Sequence, residues 1–221
     1  MNISVLCTNT EHPVNAWLQR WAESCSQAHD VVICHDKAEL PGGDILFLVS
    51  CSQLIQEKTR RLYHHTLVLH ASDLPKGRGW SPHIWELLRG EDGITISLLN
   101  AEDRVDSGAI WAKRHISIPS HALHDEIHAA LFEAEIGLMD DAVALISNGR
   151  SPAPQASEIE TSYYPKRTPD DSEIDPSLPL QTLFNQLRLM DPERYPAFFY
   201  LHGHKYTVEL KKVPSDDKHH D

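Results

Sequence analysis

Two short stretches of the sequence hold polar side chains where an apolar run breaks into a loop. One is HASDLPKGRGWSP, residues 70–82, and the other is VDSG, residues 105–108. Their histidine and aspartate, His70 and Asp106, are the residue types of general acid–base catalysis. An imidazole exchanges a proton near neutral pH, and a carboxylate beside an imidazole favours the protonated ring. Each residue alone is a weak signal: a histidine at a strand end often only hydrogen-bonds to its loop, and Asp-Ser-Gly is a common turn. Gly77 and Gly79 fit neither a phosphate loop nor a dinucleotide fingerprint, because the spacings are absent. The 15 histidines raise the question of a metal, but they are scattered along the chain. His124 and His128 are four apart on an expected helix, yet Asp125 follows His124 where a zinc-protease motif needs glutamate, and a third ligand is not evident. No metal is therefore expected. Cys7, Cys25, Cys34 and Cys51 lack CxxC spacing and read as buried free thiols.

The elements that must position His70 and Asp106 follow from hydrophobic patterning. Residues 3–7, 31–34, 45–49 and 66–70 are short apolar runs bounded by polar residues, the pattern of parallel strands covered on both faces. A helix is expected over 13–28, with Trp17, Trp21 and Cys25 on one stripe. Another is expected over 52–63, capped by Ser52 and carrying Leu54, Ile55 and Leu62. This alternation gives a doubly wound, mostly parallel α/β sheet. In the strand at 66–70 side chains alternate, so Thr66, Val68 and His70 share one face, with His70 at the carboxyl end where α/β sheets bind ligands. Beyond the loop come a short helix at 82–89, strands at 93–99 and 109–118, and a long amphipathic helix from about 120 to 148 stopped by Gly149. Residues 151–179, rich in Pro, Ser, Asp and Glu, read as an extended crossing segment. A helix at 179–190 and a hairpin of 198–201 and 205–210 joined by His202-Gly203-His204 follow. The expected organisation is a catalytic domain at 1–150, a small α+β extension at 151–213, and a disordered tail at 214–221.

Composition narrows the class further. A hydrophobic share of 41% and a charged share of 24% are those of a globular soluble chain. The net charge of −12 argues against a nucleic-acid partner, which needs a basic face for phosphates. No run approaches the ~20 apolar residues that span a bilayer, and MNISVLCT is no signal peptide, so a cytoplasmic protein without a membrane partner is expected.

Read together, HASDLPKGRGWSP, WELLRG and GITISLLNAEDRVDSGAIW resemble the core signature of the folate-dependent formyltransferases. Those enzymes act on methionyl-tRNA, glycinamide ribonucleotide or sugar-nucleotide amines. In them a strand ends in His, a Ser-x-Leu-Pro loop with Arg-Gly follows, and a distal Asp-x-Gly completes the set. Here Ser72, Leu74, Pro75, Arg78 and Gly79 fill the loop, and Asp106 lies 36 residues after His70. The later YYPKRTPDDSEIDP, residues 163–176, resembles the segment that follows that catalytic domain. The resemblance implies a Rossmann-like sheet and transfer of formyl from 10-formyltetrahydrofolate, as co-substrate, to an amine. It implies acid–base work by His70 with Asp106, worth about 10²–10⁴-fold. It also implies a pterin held by Gln53, Leu54 and Ile55 and by Glu102, Asp103, Arg104, Val105 and Asp106, with Trp80 and Trp85 beside the pocket.

The sequence departs from the family at one place. The family's oxyanion donor is an Asn two residues before the His, and Val68 stands there. Loss of one such donor costs about 10²–10³ in rate. Thr66, on the same face, and Asn100, at the end of the next strand, are the side-chain substitutes on offer. Among acceptors, the acidic balance and the short extension favour an amino sugar, nucleotide-linked and destined for a surface glycan. Lys76, Lys166 and Arg167 would then contact its phosphates. The competing readings are a methionyl-tRNA formyltransferase-like enzyme on another amine, and a folate-binding protein with little or no catalysis. A homodimer is compatible with either.

Overall fold

The computed structural model describes residues 1–213, so the tail at 214–221 lies outside the described residues. The first half of the chain alternates β1 (Asn2–Leu6), α1 (Asn15–Cys25), β2 (Asp30–Cys34), β3 (Gly43–Leu48) and a single helical turn, α2 (Glu57–Arg60). There follow β4 (Tyr63–His70), a two-residue β5 (Arg78–Gly79), α3 (Pro82–Leu88), β6 (Gly93–Asn100), β7 (Ile110–Ser117) and the long α4 (His124–Ser147). The remainder holds β8 (Tyr163–Tyr164), α5 (Leu180–Leu189) and a hairpin of β9 (Ala197–Leu201) and β10 (His204–Val208).

Six strands form the central sheet in the order β2-β1-β3-β4-β6-β7. β1 to β4 pair in parallel, and β6 runs antiparallel to both its neighbours. The chain is thus a mixed α/β fold of the doubly wound, Rossmann-like kind. Strand alternation divides the side chains between two apolar layers. On one face Val5, Phe47, Leu67, Leu69 and Leu98 pack with Leu18 and Trp21 of α1, Leu87 of α3 and Leu131 and Leu138 of α4. On the other Leu6, Leu46 and Leu48 meet Cys34, Leu40, Ile55 and Tyr63, with Val68 against them. A third cluster of Ile174, Leu183, Leu187, Met190 and Ala197 closes the C-terminal unit. All four cysteines are free thiols. No helix among the described residues is long and apolar enough to cross a membrane.

Two expectations need correction. The helix at 52–63 shrinks to the turn Glu57–Arg60. Only Ile55 finds a core, whereas Leu54 and Leu62 are 57% and 52% exposed, so the segment has no continuous apolar stripe to bury. Ser52 caps nothing; its amide donates to Thr8 Oγ1 at 2.9 Å. Tyr63, placed in that helix, instead begins β4 opposite Gly43. In the hairpin, His204 belongs to β10 and the turn is His202-Gly203 alone, both with positive φ (50° and 79°), the geometry of a tight two-residue hairpin turn.

Candidate active site

The last residue of β4 is His70, and the strand's alternation puts its ring on the face opposite Leu67 and Leu69. Its Nδ1 lies 3.6 Å from Asp106 Oδ1, and both side chains are less than 10% exposed, at 8% and 6%. At that separation the two groups are within ion-pair distance but not hydrogen-bonded. Ring Nε2 sits 2.8 Å from the Gly77 carbonyl oxygen. A carbonyl can only accept, so Nε2 carries a hydrogen in this arrangement, and Nδ1 is the ring nitrogen that faces the carboxylate. Asp106 is held by its other oxygen, which accepts from Gly79 N at 2.9 Å, and its backbone is left-handed (φ 54°).

The loop between β4 and β5 closes over the histidine. Ser72 Oγ donates to the Lys76 carbonyl at 2.9 Å, and Ser97 Oγ donates to the Ser72 carbonyl at 2.7 Å. The Leu74–Pro75 peptide is cis. Lys113 Nζ reaches Asp73 Oδ1 at 2.5 Å and the Leu74 carbonyl at 2.6 Å. Gly77 has φ 71°, and any Cβ there would meet Ser72 Cβ at 2.7 Å and Glu86 Oε1 at 2.9 Å. Burial, with Glu91 and Asp73 nearby, raises the Glu86 carboxyl to about 7.

A third stretch, residues 155–164, joins the two loops and carries no motif that marks it in the sequence. Gln155 Nε2 donates to the carbonyls of Asp106 (2.8 Å) and Gly108 (3.0 Å), while its Oε1 accepts from Arg78 Nη2 at 2.7 Å. Ser162 Oγ accepts from Gly77 N at 2.8 Å, and the Ser162 carbonyl from Arg78 N at 3.0 Å. β8 pairs in parallel with β5, aligning Tyr163 with Arg78 and Tyr164 with Gly79. One carboxamide and one two-residue strand thus lock the histidine loop to the aspartate loop. Both lie in an irregular, Pro-rich stretch without periodicity, so only the long-range pairing reveals them.

A family model described as formyl transferase matches residues 26–143, more than half of the 221 residues. The chain belongs to the formyl transferase family. Among solved structures, methionyl-tRNA formyltransferase from Clostridium thermocellum is 23% identical at a TM-score of 0.79, over 99% of this chain and 95% of that one. A 4-N formyltransferase from Francisella tularensis is 18% identical at 0.71, over 96% and 98%. HypX from Aquifex aeolicus, in a structure titled as a complex with tetrahydrofolic acid, is 22% identical at 0.79, over 94% of this chain but 37% of HypX. At these identities the likeness is one of fold.

In this formyl transferase the other expected residues divide into groups. Gln53–Ile55 and the loop 102–106 do come together: Arg60 donates to the Ile55 carbonyl at 2.6 Å and to Asp103 Oδ1 at 2.7 Å. Gln53 Oε1 is buried there without a partner among the described residues. Pro75, Arg78, Glu102 and Arg104 line an open cleft of ≈ 400 Å³ with Gln155 and Ser107. Neither side-chain substitute for the missing Asn reaches His70. Asn100 pairs with Leu67 and so points to the opposite face, where its Oδ1 accepts from Trp111 Nε1 at 2.8 Å. The Thr66 hydroxyl is buried and unpartnered, but four strand residues place it ~13 Å back from His70. Lys166 Nζ lies 4.9 Å over the Trp80 ring, and Trp85 Nε1 donates to the Pro165 carbonyl at 3.2 Å. Arg167 donates to Ser172 Oγ (3.4 Å) and to Met190 Sδ (3.1 Å). Lys76 is exposed. Among the described residues no group of three or more His, Cys, Asp or Glu side chains is placed to hold a metal.

Proposed function

We propose that the protein transfers a formyl group from 10-formyltetrahydrofolate to the amine of an amino sugar, nucleotide-linked and used in glycan assembly. The observation that carries this reading is the enclosed pair of His70 and Asp106, Nδ1 to Oδ1 at 3.6 Å, in a chain of the formyl transferase family. The acceptor amine attacks the formyl carbon with its lone pair, a C–N bond forms and the carbonyl oxygen takes up negative charge. His70 accepts the proton released by the attacking nitrogen. Collapse of the intermediate breaks the bond to the folate nitrogen, which takes a proton as tetrahydrofolate departs. Asp106 faces the ring edge that gains charge, and Gly79 N fixes the carboxylate for that role. The pterin lies against Gln53–Ile55 and the loop 102–106, where the unpartnered Gln53 Oε1 offers an acceptor to its N–H donors.

The choice of acceptor rests on charge. Chain length does not separate the acceptors, since a methionyl-tRNA formyltransferase is matched over 95% of its length. A net charge of −12 disfavours a tRNA backbone and leaves a small amine as the better fit. The test is formyl transfer from 10-formyltetrahydrofolate to a panel of nucleotide-linked amino sugars beside methionyl-tRNA. Turnover on an amino sugar is expected, with methionyl-tRNA inert. The apolar Val68 favours a second reading, folate binding with little catalysis, and binding without turnover on any acceptor would select it.

A further inference from the structure

The cleft beside the aspartate loop has a feature that formyl transfer does not use. Arg78 is 7% exposed and lines this cleft, yet forms no ion pair among the described residues. Its Nη2 donates to the neutral Gln155, and its Nε is buried with no partner at all among the described residues. A guanidinium is a cation with donors only, and burying one without a counter-charge is unfavourable. A second cation, the exposed Arg104, stands on the rim, and Ser107, Ser157 and Thr161 add hydroxyls to the lining. The single carboxylate of the lining, Glu102, is exposed and accepts from Ser107 Oγ at 3.4 Å. In a chain with 32 acidic and 20 basic residues, this is a local inversion of charge. The ≈ 400 Å³ of the cleft falls within the size of small-ligand sites.

We propose that this cleft binds a doubly charged oxyanion, seated on the buried Arg78 with Arg104 at the rim. Arg78 keeps donors unspent beyond its bond to Gln155, and a guanidinium takes a phosphate or carboxylate through two parallel N–H bonds. Resting on the function proposed above, two sources supply that chemistry: the diphosphate of the nucleotide-linked acceptor, or the glutamyl carboxylates of the folate. The cleft shares the loop 102–107 with the expected pterin segment, so either source can reach it while the formyl group lies near His70.

The test is calorimetric titration of inorganic pyrophosphate into the full chain, needing no turnover. Wild type is expected to bind, with affinity falling as salt rises. Arg104→Gln is expected to weaken binding about threefold and Arg78→Gln about tenfold or more. Because Arg78→Gln can fail to fold, the exposed Arg104→Gln decides: equal affinity in wild type and this variant overturns the site. So does an absence of binding at millimolar pyrophosphate. Competition then separates the sources. Displacement by a nucleoside diphosphate assigns the acceptor, displacement by tetrahydrofolate but not by tetrahydropteroate assigns the folate, and displacement by neither reduces the site to adventitious anion binding and overturns the proposal. Pyrophosphate binding in a protein inert toward formyl acceptors would keep the site and sink only the transferase reading.

Discussion

At the scale of single residues, His70 and Asp106 were legible because each sits where an apolar run ends. Their contact across 36 residues was legible only through a family pattern. His70→Ala and Asp106→Asn are each expected to lower kcat/KM by about 10²–10⁴. Rates equal to wild type in His70→Ala would remove the ring from the mechanism. Position 68 gives the opposite kind of test. Val68 shares the face of His70 but has no polar atom, and neither Thr66 nor Asn100 supplies one near the reacting centre. Val68→Asn is expected to raise kcat by about 10² where the donor can reach the oxyanion, at about 1–3 kcal/mol in stability for placing an amide in an apolar layer. Rate assays beside urea denaturation separate the two effects. An unchanged kcat would show that the oxyanion is already held by backbone groups.

At the scale of elements, strands and long helices were readable because their patterning has a period. The turn at 57–60 was misread because its flanking leucines have no core to enter. α4 was read correctly, but its buried polar groups were not. His83 of α3 and His124 pack against His128, and His128 and His12 pack against Phe132, with ring centroids of His124 and His128 4.1 Å apart. Burial holds His12 near 4, His83 near 3 and His128 near 2, and lowers His124 as well. Unfolded, all four titrate near 6.5 and take up protons that the folded protein refuses. Their contribution is therefore intact above pH ~6.5 and is lost as pH falls through that value. The urea midpoint should decline steadily from neutral pH to about pH 5, and less steeply in His128→Phe. A midpoint unchanged over that range would contradict the burial of the cluster. Glu135, also on α4, works in the other direction. Burial raises its carboxyl to about 8, so the folded state retains a proton that the unfolded state releases above about 4.5. Stability from this group falls as pH rises toward 8. Glu135→Gln should remove the part of the decline in urea midpoint that wild type shows between about pH 4.5 and 8.

At the scale of the whole molecule, antiparallel β6 ends with Asn100 opposite Leu67, three residues short of His70, and the loop that follows brings Asp106 to within 3.6 Å of the ring. The boundary expected at 150 cuts through this arrangement. Gln155 supports two carbonyls of the aspartate loop, Ala153 bridges Ile110, and residues 162–164 pair with 77–80. A chain truncated after residue 150 should keep much of its helical signal yet show no formyl transfer. Gln155→Leu in the full chain should cut activity and lower the thermal midpoint by about 6–12 °C, because it removes three hydrogen bonds of about 1 kcal/mol each. Activity retained by the truncated chain would show that the pairing is packing alone.

The β5–β8 pairing also sets an order of events at birth. Residues 70 and 106 leave the ribosome long before residues 162–164, so the nascent chain carries His70 and Asp106 while their loops are still untied. Competence for catalysis arrives as a late step of synthesis, when the last strap threads between loops already made. Arrested nascent chains of increasing length should acquire activity abruptly once Tyr164 has cleared the exit tunnel, rather than in proportion to the sheet already formed.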